Sequence, residues 1–331
     1  MGRPFLDEEF IHMRKIGVLT SGGDAPGMNA ALRAVVRKAI YHGLEVVGFR
    51  RGYHGLIYGE YGPMELGSVA DIIHRGGTTL RTARAPEFLE PAGREQALET
   101  ISASGIDALI VIGGDGSFRG AAALEDAGIQ TIGIPGTIDN DIACTDYSIG
   151  FDTAVNNVTD AINKVRDTAT SHERVYLIEV MGRTTGHIAL AAGVAGGAES
   201  ILVPEVPFEL DHVCERLHRG VRRGKLHSII LVAEGVGSAI DIGKQLEDLT
   251  KMETRVTILG HLQRGGTPTA FDRILASRMG AAAIDFLRSG CHGQMVGIEA
   301  GQIRATPFAE ALAQDKPFPM DLYELARILA I

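Results

Sequence analysis

The strongest constraint on this chain is a rhythm: apolar runs of strand length, each followed by glycine and then by a segment with helical spacing. Ile16 to Leu19 precedes Ser21-Gly22-Gly23, Ala108 to Ile112 precedes Gly113-Gly114, and Thr131 to Ile134 precedes Pro135-Gly136. Farther on, Val175 to Val180 precedes Met181-Gly182-Arg183, and Ser228 to Ala233 precedes Glu234-Gly235. Uninterrupted apolar runs belong to parallel strands buried on both faces. Between them, Asn29 to Tyr41 sets Ala31, Ala34, Val35 and Lys38 at three- and four-residue spacing, and Phe151 to Arg166 does the same with Ala154, Val158, Ala161, Ile162 and Val165. The pattern predicts an α/β chain with largely parallel sheets and ligands at the carboxyl ends of the strands. It continues on both sides of Gly150, which 331 residues accommodate more readily as two sheets than as one.

Composition narrows the function. Hydrophobic residues make up 45% and charged residues 22% of the chain, enough apolar content for a substantial core. A formal net charge of −9 without a long basic block argues against non-specific nucleic-acid binding, so an anionic ligand needs local arginines. Cys144, Cys214 and Cys291 are odd in number and lack paired spacing, which suggests neither a disulfide framework nor a zinc site and fits a reduced cytoplasm. The longest small-apolar stretch, Ile188 to Ala198, is too short and glycine-rich to span a bilayer, and Met1 to Lys15 has no targeting pattern.

Three glycine-rich loops carry acids: Gly22-Gly23-Asp24, Gly113-Gly114-Asp115-Gly116-Ser117, and Pro135-Gly136-Thr137-Ile138-Asp139-Asn140-Asp141. A carboxylate beside a polyphosphate is repelled unless Mg²⁺ bridges the two or the carboxylate acts as a base on an incoming hydroxyl. Strand, glycines and then a helix N-terminus form a phosphate cradle, although the same order also makes a plain βα turn. Asp115 inside the loop, and no acid closing Thr131 to Ile134, disfavour a dinucleotide fold and so a Rossmann-type oxidoreductase. No Gly-x-x-x-x-Gly-Lys-Ser/Thr loop occurs. If Thr137 to Asp141 is locally extended, Asp139 and Asp141 point the same way, one placed as base and the other near a metal. Arg84, Arg174, Arg183, Arg255 and Arg264 lie near predicted loops or strand ends and supply guanidinium groups for phosphate. Together these residues point to a phosphoryl-transfer enzyme.

In this order, the segments Ile16 to Arg33, Gly113 to Ser117, Pro135 to Ile142, Glu179 to Arg183 and Ile258 to Gly280 resemble the bacterial type of the ATP-dependent 6-phosphofructokinase family, from about Lys15 to the C-terminus. The resemblance implies two Rossmann-like domains: 1–149 with about 262–312 for ATP, and 150–261 with about 313–331 for fructose 6-phosphate. It implies a cytoplasmic homotetramer that phosphorylates the sugar 1-hydroxyl with Mg²⁺-ATP. Other kinases that share the Gly-Gly-Asp-Gly loop, such as NAD or lipid kinases, are not expected to carry this arginine set.

Position by position, the resemblance assigns Gly22, Arg84, Ala85, Gly114, Gly116 and Ser117 to ATP, and Asp115 to Mg²⁺. Asp139 matches the catalytic base, accompanied by Thr137, Arg84, Asp141 and Arg183. Thr137, Ile138, Met181, Gly182, Arg183, Glu234, His261, Leu262, Gln263 and Arg264 match sugar-phosphate contacts, and Arg174 and Arg255 match arginines supplied by a neighbouring subunit. Pyrophosphate-dependent relatives usually carry an acid in place of Gly116 and a lysine in place of Gly136, so glycine at both implies ATP. Arg33, Arg37, Arg166, Gly197, Ala198, Glu199, Arg223, Lys225, Leu226 and His227 resemble the effector site for ADP and phosphoenolpyruvate. Leu66 and Leu226 replace common cations there, and His187 replaces a frequent acid.

Overall fold

The computed structural model describes residues 13–172, 174–225 and 227–330, so Leu226 of the expected effector set lies outside the described residues. Its strands are β1 (Lys15–Thr20), β2 (Glu45–Phe49), β3 (Tyr61–Pro63), β4 (Ala108–Gly113), β5 (Gln130–Pro135), β6 (Val175–Val180), β7 (Ser200–Leu202), β8 (Ser228–Ala233), β9 (Thr254–Ile258), β10 (Gln294–Glu299) and β11 (Gln302–Pro307). They form two sheets in two units. One unit comprises the described parts of Met1–Thr137, Ile142–Gly150 and Gly266–Asp315; the other comprises those of Ile138–Asp141, Phe151–Gly265 and Lys316–Ile331.

The first unit's sheet runs β11-β10-β5-β4-β1-β2-β3. Its five middle strands are parallel, and antiparallel β3 and β11 close the edges. Every residue of β4 is buried, as a doubly covered strand requires. Truncating Leu109 or Ile110 there would cost about 2–5 kcal/mol. After β1 the chain continues to β2 on one side, whereas β4 lies on the other. The loops that follow β1 and β4 therefore flank the point where strand order reverses, where open α/β sheets bind ligands. Helix Ala270–Arg288 packs closely on helix Met28–Tyr41, because Gly280 leaves room: a Cβ there would stand 2.7 Å from the Ala31 carbonyl oxygen.

The second unit has a wholly parallel sheet, β7-β8-β6-β9, with helices including Phe151–His172, Leu210–Arg222 and Ala239–Thr250. Around β6, the neighbours β8 and β9 place three loop starts, after Val180, Ala233 and Ile258, at one end of the sheet.

Two expectations need correction. Ile138–Asp141 belongs to the second unit rather than to a continuous 1–149, because Asp139 interacts with Arg183, Arg264 and Glu234 of that unit. The segment is also not extended: Asn140 has φ 52°, a left-handed conformation that asparagine tolerates better than most residues, so simple alternation does not set the directions of Asp139 and Asp141. The returning segments change units between Gly265 and Gly266 and between Asp315 and Lys316, a few residues from the expected 262 and 313.

Candidate active site

In the first unit, Gly22 adopts φ 83°, and a Cβ there would lie 3.4 Å from Ser117 Oγ. At neighbouring Gly113 a Cβ would stand 2.6 Å from the Ser21 carbonyl oxygen, so glycine there lets the loops after β1 and β4 approach closely. Helix Asp115–Asp126 opens at Gly114, whose carbonyl accepts from Ser117 N at 2.9 Å and Phe118 N at 3.1 Å. Its amino end carries partial positive charge toward the loop. A Cβ at Gly116 would meet nothing within 4 Å. Thr137 follows β5, and a Cβ on Gly114 would come within 3.7 Å of the Thr137 Cβ. The exposed Arg84 sits in the loop before the short helix Pro86–Leu89, and Ala85 packs on the core beneath it. Thr20, at the end of β1, ties that loop by bonding Thr78 Oγ1 at 2.9 Å and donating to the Arg81 carbonyl at 3.1 Å.

The second unit assembles a charged group around Asp139, whose residue is 2% exposed. Arg183 Nε lies 3.7 Å from Asp139 Oδ2. Burial pushes the Asp139 carboxyl above the ordinary range; Asp141 and Glu234 add to the rise, while Arg264 and Arg183 oppose it. Gly182 has φ 138° and Arg183 φ 53°, a turn held by the Glu234 carboxylate, which accepts from Gly182 N at 3.2 Å and from Arg183 N at 2.7 Å. Gln263 is fully buried in the turn Gly260–Arg264: Oε1 accepts from Met181 N at 3.2 Å and Nε2 donates to the Gly260 carbonyl at 3.0 Å. Its side chain therefore joins two loops, whereas His261 and Leu262 are exposed. Ile138 is completely buried beside Asp139.

Arg174 and Arg255 converge on one acid. Arg174 Nε is 2.6 Å from Glu253 Oε2, and Arg255 pairs with the other oxygen of the same carboxylate. Hydrogen bonding to Arg174 holds Glu253 below its usual carboxyl value.

The expected effector residues fall in both units. Arg33 and Arg37 stand on helix Met28–Tyr41 of the first. In the second, Arg166 donates to the Gly196 and Gly197 carbonyls and Lys225 pairs with Glu199. Gly197, Ala198, Glu199 and Lys225 line a cavity of about 90 Å³ shared with Ala326, Leu329 and Ala330 of the C-terminal segment. Arg223 is exposed at the end of helix Leu210–Arg222, and His227 is half-buried before β8.

Several contributors escaped the sequence reading. Glu253 gathers the two arginines. Arg119 Nε stands 3.0 Å from Asp115 Oδ2, a pairing that the four-residue spacing would have revealed. Tyr53 donates its hydroxyl to the Ser117 carbonyl at 2.6 Å from a fully enclosed position, and only tertiary packing discloses that bond. Asn157 reaches across about a hundred residues to the carbonyls of Leu262, Gln263 and Gly265.

His187 opens helix His187–Gly196, packs on Phe318 and is 5% exposed, with no hydrogen-bond partner for Nε2 among the described residues. Burial, with Lys316 nearby, lowers it to about 4 from 6.5. The unfolded chain then binds a proton below about pH 6.5 that the native state refuses, so stability present above that value is lost as pH falls toward 4. Up to about 3 kcal/mol rides on this one group. Urea midpoints measured at pH 7 and 5 should converge in His187→Leu relative to the unsubstituted chain; an unchanged pH difference would remove His187 from the account.

A family model described as Phosphofructokinase matches residues 15–287. The chain is 60% identical to an ATP-dependent 6-phosphofructokinase of Bacillus cytotoxicus, over 96% of this chain and 100% of that one. Among solved structures, Pichia pastoris phosphofructokinase in the T-state superposes with a TM-score of 0.86 at 36% identity, covering 99% of this chain, which spans only 40% of that larger one. A pyrophosphate-dependent phosphofructokinase from Marinobacter aquaeolei gives 0.83 at 26% identity, covering 93% of this chain and 86% of that one. The acid-bearing glycine loops and the arginine-flanked aspartate thus sit in a chain that belongs to the phosphofructokinase family.

Proposed function

We propose that this chain transfers the γ-phosphoryl group of ATP to the 1-hydroxyl of D-fructose 6-phosphate, giving fructose 1,6-bisphosphate and ADP in the committed step of glycolysis. The setting of Asp139 carries the proposal: a buried carboxylate with a raised proton affinity, flanked by Arg183 and Arg264. As the 1-oxygen bonds to the γ-phosphorus and the bond to the β-bridging oxygen breaks, Asp139 takes the hydroxyl proton. Burial makes it a stronger base, and the two guanidiniums oppose that rise and favour the carboxylate form. Arg183, Arg264, His261 and the backbone of Met181 and Gly182 hold the sugar phosphate, with Glu234 and Gln263 fixing the loops that present them. Thr137, Ile138 and Asp141 complete the surroundings of the reacting hydroxyl.

On the first unit, Gly22, Ala85, Gly114, Gly116 and Ser117 would form the nucleotide cradle, with Arg84 reaching the transferred phosphate. Asp115 suits Mg²⁺, a hard cation that takes one or two carboxylates and fills its remaining positions with phosphate oxygens and water. Among the described residues no cluster of three or more metal-binding side chains occurs. When bound, Mg²⁺ supplies positive charge across the phosphates. Arg119, paired with Asp115 Oδ2 at 3.0 Å, would share that carboxylate with the metal.

Self-association as a homotetramer would let Arg174 and Arg255 serve a neighbouring subunit's sugar phosphate, with Glu253 keeping the pair together. ADP and phosphoenolpyruvate are the effectors proposed for the arginine-rich set around Glu199. The setting proposed is the cytoplasm, without nucleic acid or membrane as partner; no helix among the described residues is long and apolar enough to cross a membrane.

The test is turnover of fructose 6-phosphate with Mg²⁺-ATP and, separately, with pyrophosphate. ATP should support it and pyrophosphate should not. Comparable rates with pyrophosphate, or none with ATP, would reject the donor assignment.

A further inference from the structure

Among the described residues, three arginines hold a left-handed backbone: Arg51 at φ 60°, Arg81 at φ 63° and Arg183 at φ 53°. That region is unfavourable for a residue with a Cβ, so the surrounding structure must fix each of them. Two of the three have an acid to hold. Arg51 bonds Glu60 through Nε at 2.8 Å, and Arg183 Nε stands 3.7 Å from Asp139 Oδ2. Arg81 differs, because it is exposed and forms no ion pair among the described residues.

The loop that carries Arg81 is tied down from several sides. Asn29 of helix Met28–Tyr41 donates to the Arg75 and Gly76 carbonyls at 3.0 and 3.3 Å and accepts from Thr79 N at 2.8 Å. Buried Leu80 offers its carbonyl to Arg51 N at 2.8 Å, in the loop after β2, and Arg81 N donates to the Thr78 carbonyl at 3.1 Å. The Arg81 carbonyl in turn accepts from Thr20 Oγ1 at 3.1 Å. Thr20 is the last residue of β1 and pairs in register with Ile112 of β4, the residue before Gly113. Gly22 follows two residues later, at most about 7 Å along an extended chain. The backbone of Arg81 therefore stands beside the glycine loops that meet at Ser117, with Arg84 three residues farther along its own loop.

We propose that Arg81 supplies a second guanidinium to the phosphates of the bound nucleotide, acting beside Arg84. The inference rests on the nucleotide cradle proposed above. A planar guanidinium pairs bidentately with phosphate oxygens, and a main chain already fixed at several points loses less freedom when the side chain binds. Arg51, in the neighbouring loop, would first have to leave Glu60, whereas Arg81 has no such bond to break.

Calorimetric titration of the full chain with Mg²⁺-ATP, without fructose 6-phosphate, reads this contact apart from turnover. Arg81→Gly should bind at least about fivefold more weakly, with Arg81→Lys between it and the parent. Added salt should weaken binding by the parent more than by Arg81→Gly, which has one charge fewer to screen. Glycine adopts the left-handed backbone freely, so the thermal midpoint of Arg81→Gly should be no lower than the parent's. A lower midpoint would make the side chain a support of its loop and overturn the proposal. So would an affinity change of less than about fivefold in Arg81→Gly while Gly116→Asp abolishes binding. A parent chain that binds no Mg²⁺-ATP would reject the cradle itself, and this inference with it.

Discussion

Asp139→Asn should lower turnover by roughly two or more orders of magnitude while sugar-phosphate affinity changes much less. The amide keeps the shape of the carboxylate and its place near Arg183 but cannot take a proton. Two further readouts separate loss of a base from loss of structure. The unsubstituted enzyme should lose activity as pH falls through the Asp139 value, which burial and Asp141 raise above the ordinary carboxyl range, and this limb should vanish from the residual rate of the variant. Stability should move the other way. A carboxyl with a raised native value is protonated more readily folded than unfolded, so its ionisation opposes folding at neutral pH, and the asparagine variant should melt no lower than the parent. Near-normal turnover in Asp139→Asn would assign the base elsewhere.

Gly116→Asp should cut kcat/KM for ATP at least a hundredfold without harming the fold. Space for the new side chain exists, because a Cβ at Gly116 meets nothing within 4 Å. An acid in the first turn of helix Asp115–Asp126 also complements its dipole and replaces a flexible glycine, which favours stability by a few tenths to 1 kcal/mol. Beside nucleotide phosphates the same charge is unfavourable: two like charges about 4 Å apart near a protein surface cost about 4 kcal/mol. Opposite signs in thermal midpoint and ATP kinetics are therefore the expected pattern. Unaltered ATP kinetics would mean that the phosphates do not lie over this loop, and the donor site would have to be sought elsewhere. Gly136 is a less clean position, since a Cβ there would press on Met28 and Ile112 at 3.2 and 3.3 Å.

The five strands read from continuous apolar runs all form, with ends shifted by at most one residue. Of the strands not read from such runs, β2 and β10 do carry short buried apolar runs, while others lack one. β9 reads Thr-Arg-Val-Thr-Ile and β11 alternates exposed and covered residues at an edge, so neither presents the doubly buried pattern. Helix Phe151–His172 extends six residues past the end of its clear periodicity at Arg166.

Sequence alone determined which loops follow which strands, and so which glycines, acids and arginines lie at strand ends; these are local properties, carried by spacing along one segment. The electrostatics of the chemistry was decided by tertiary structure. Asp139 owes its raised proton affinity chiefly to burial, helped by Asp141 and by Glu234 and opposed by Arg264 and Arg183, the last three of these more than forty residues away. Gln263 looked like a candidate ligand but is closed inside a bond to Met181, 82 residues earlier. Arg174 and Arg255 read as separate cations until Glu253 drew them together. Burial and charge pairing depend on which distant segments meet, and residue spacing within a loop does not record that.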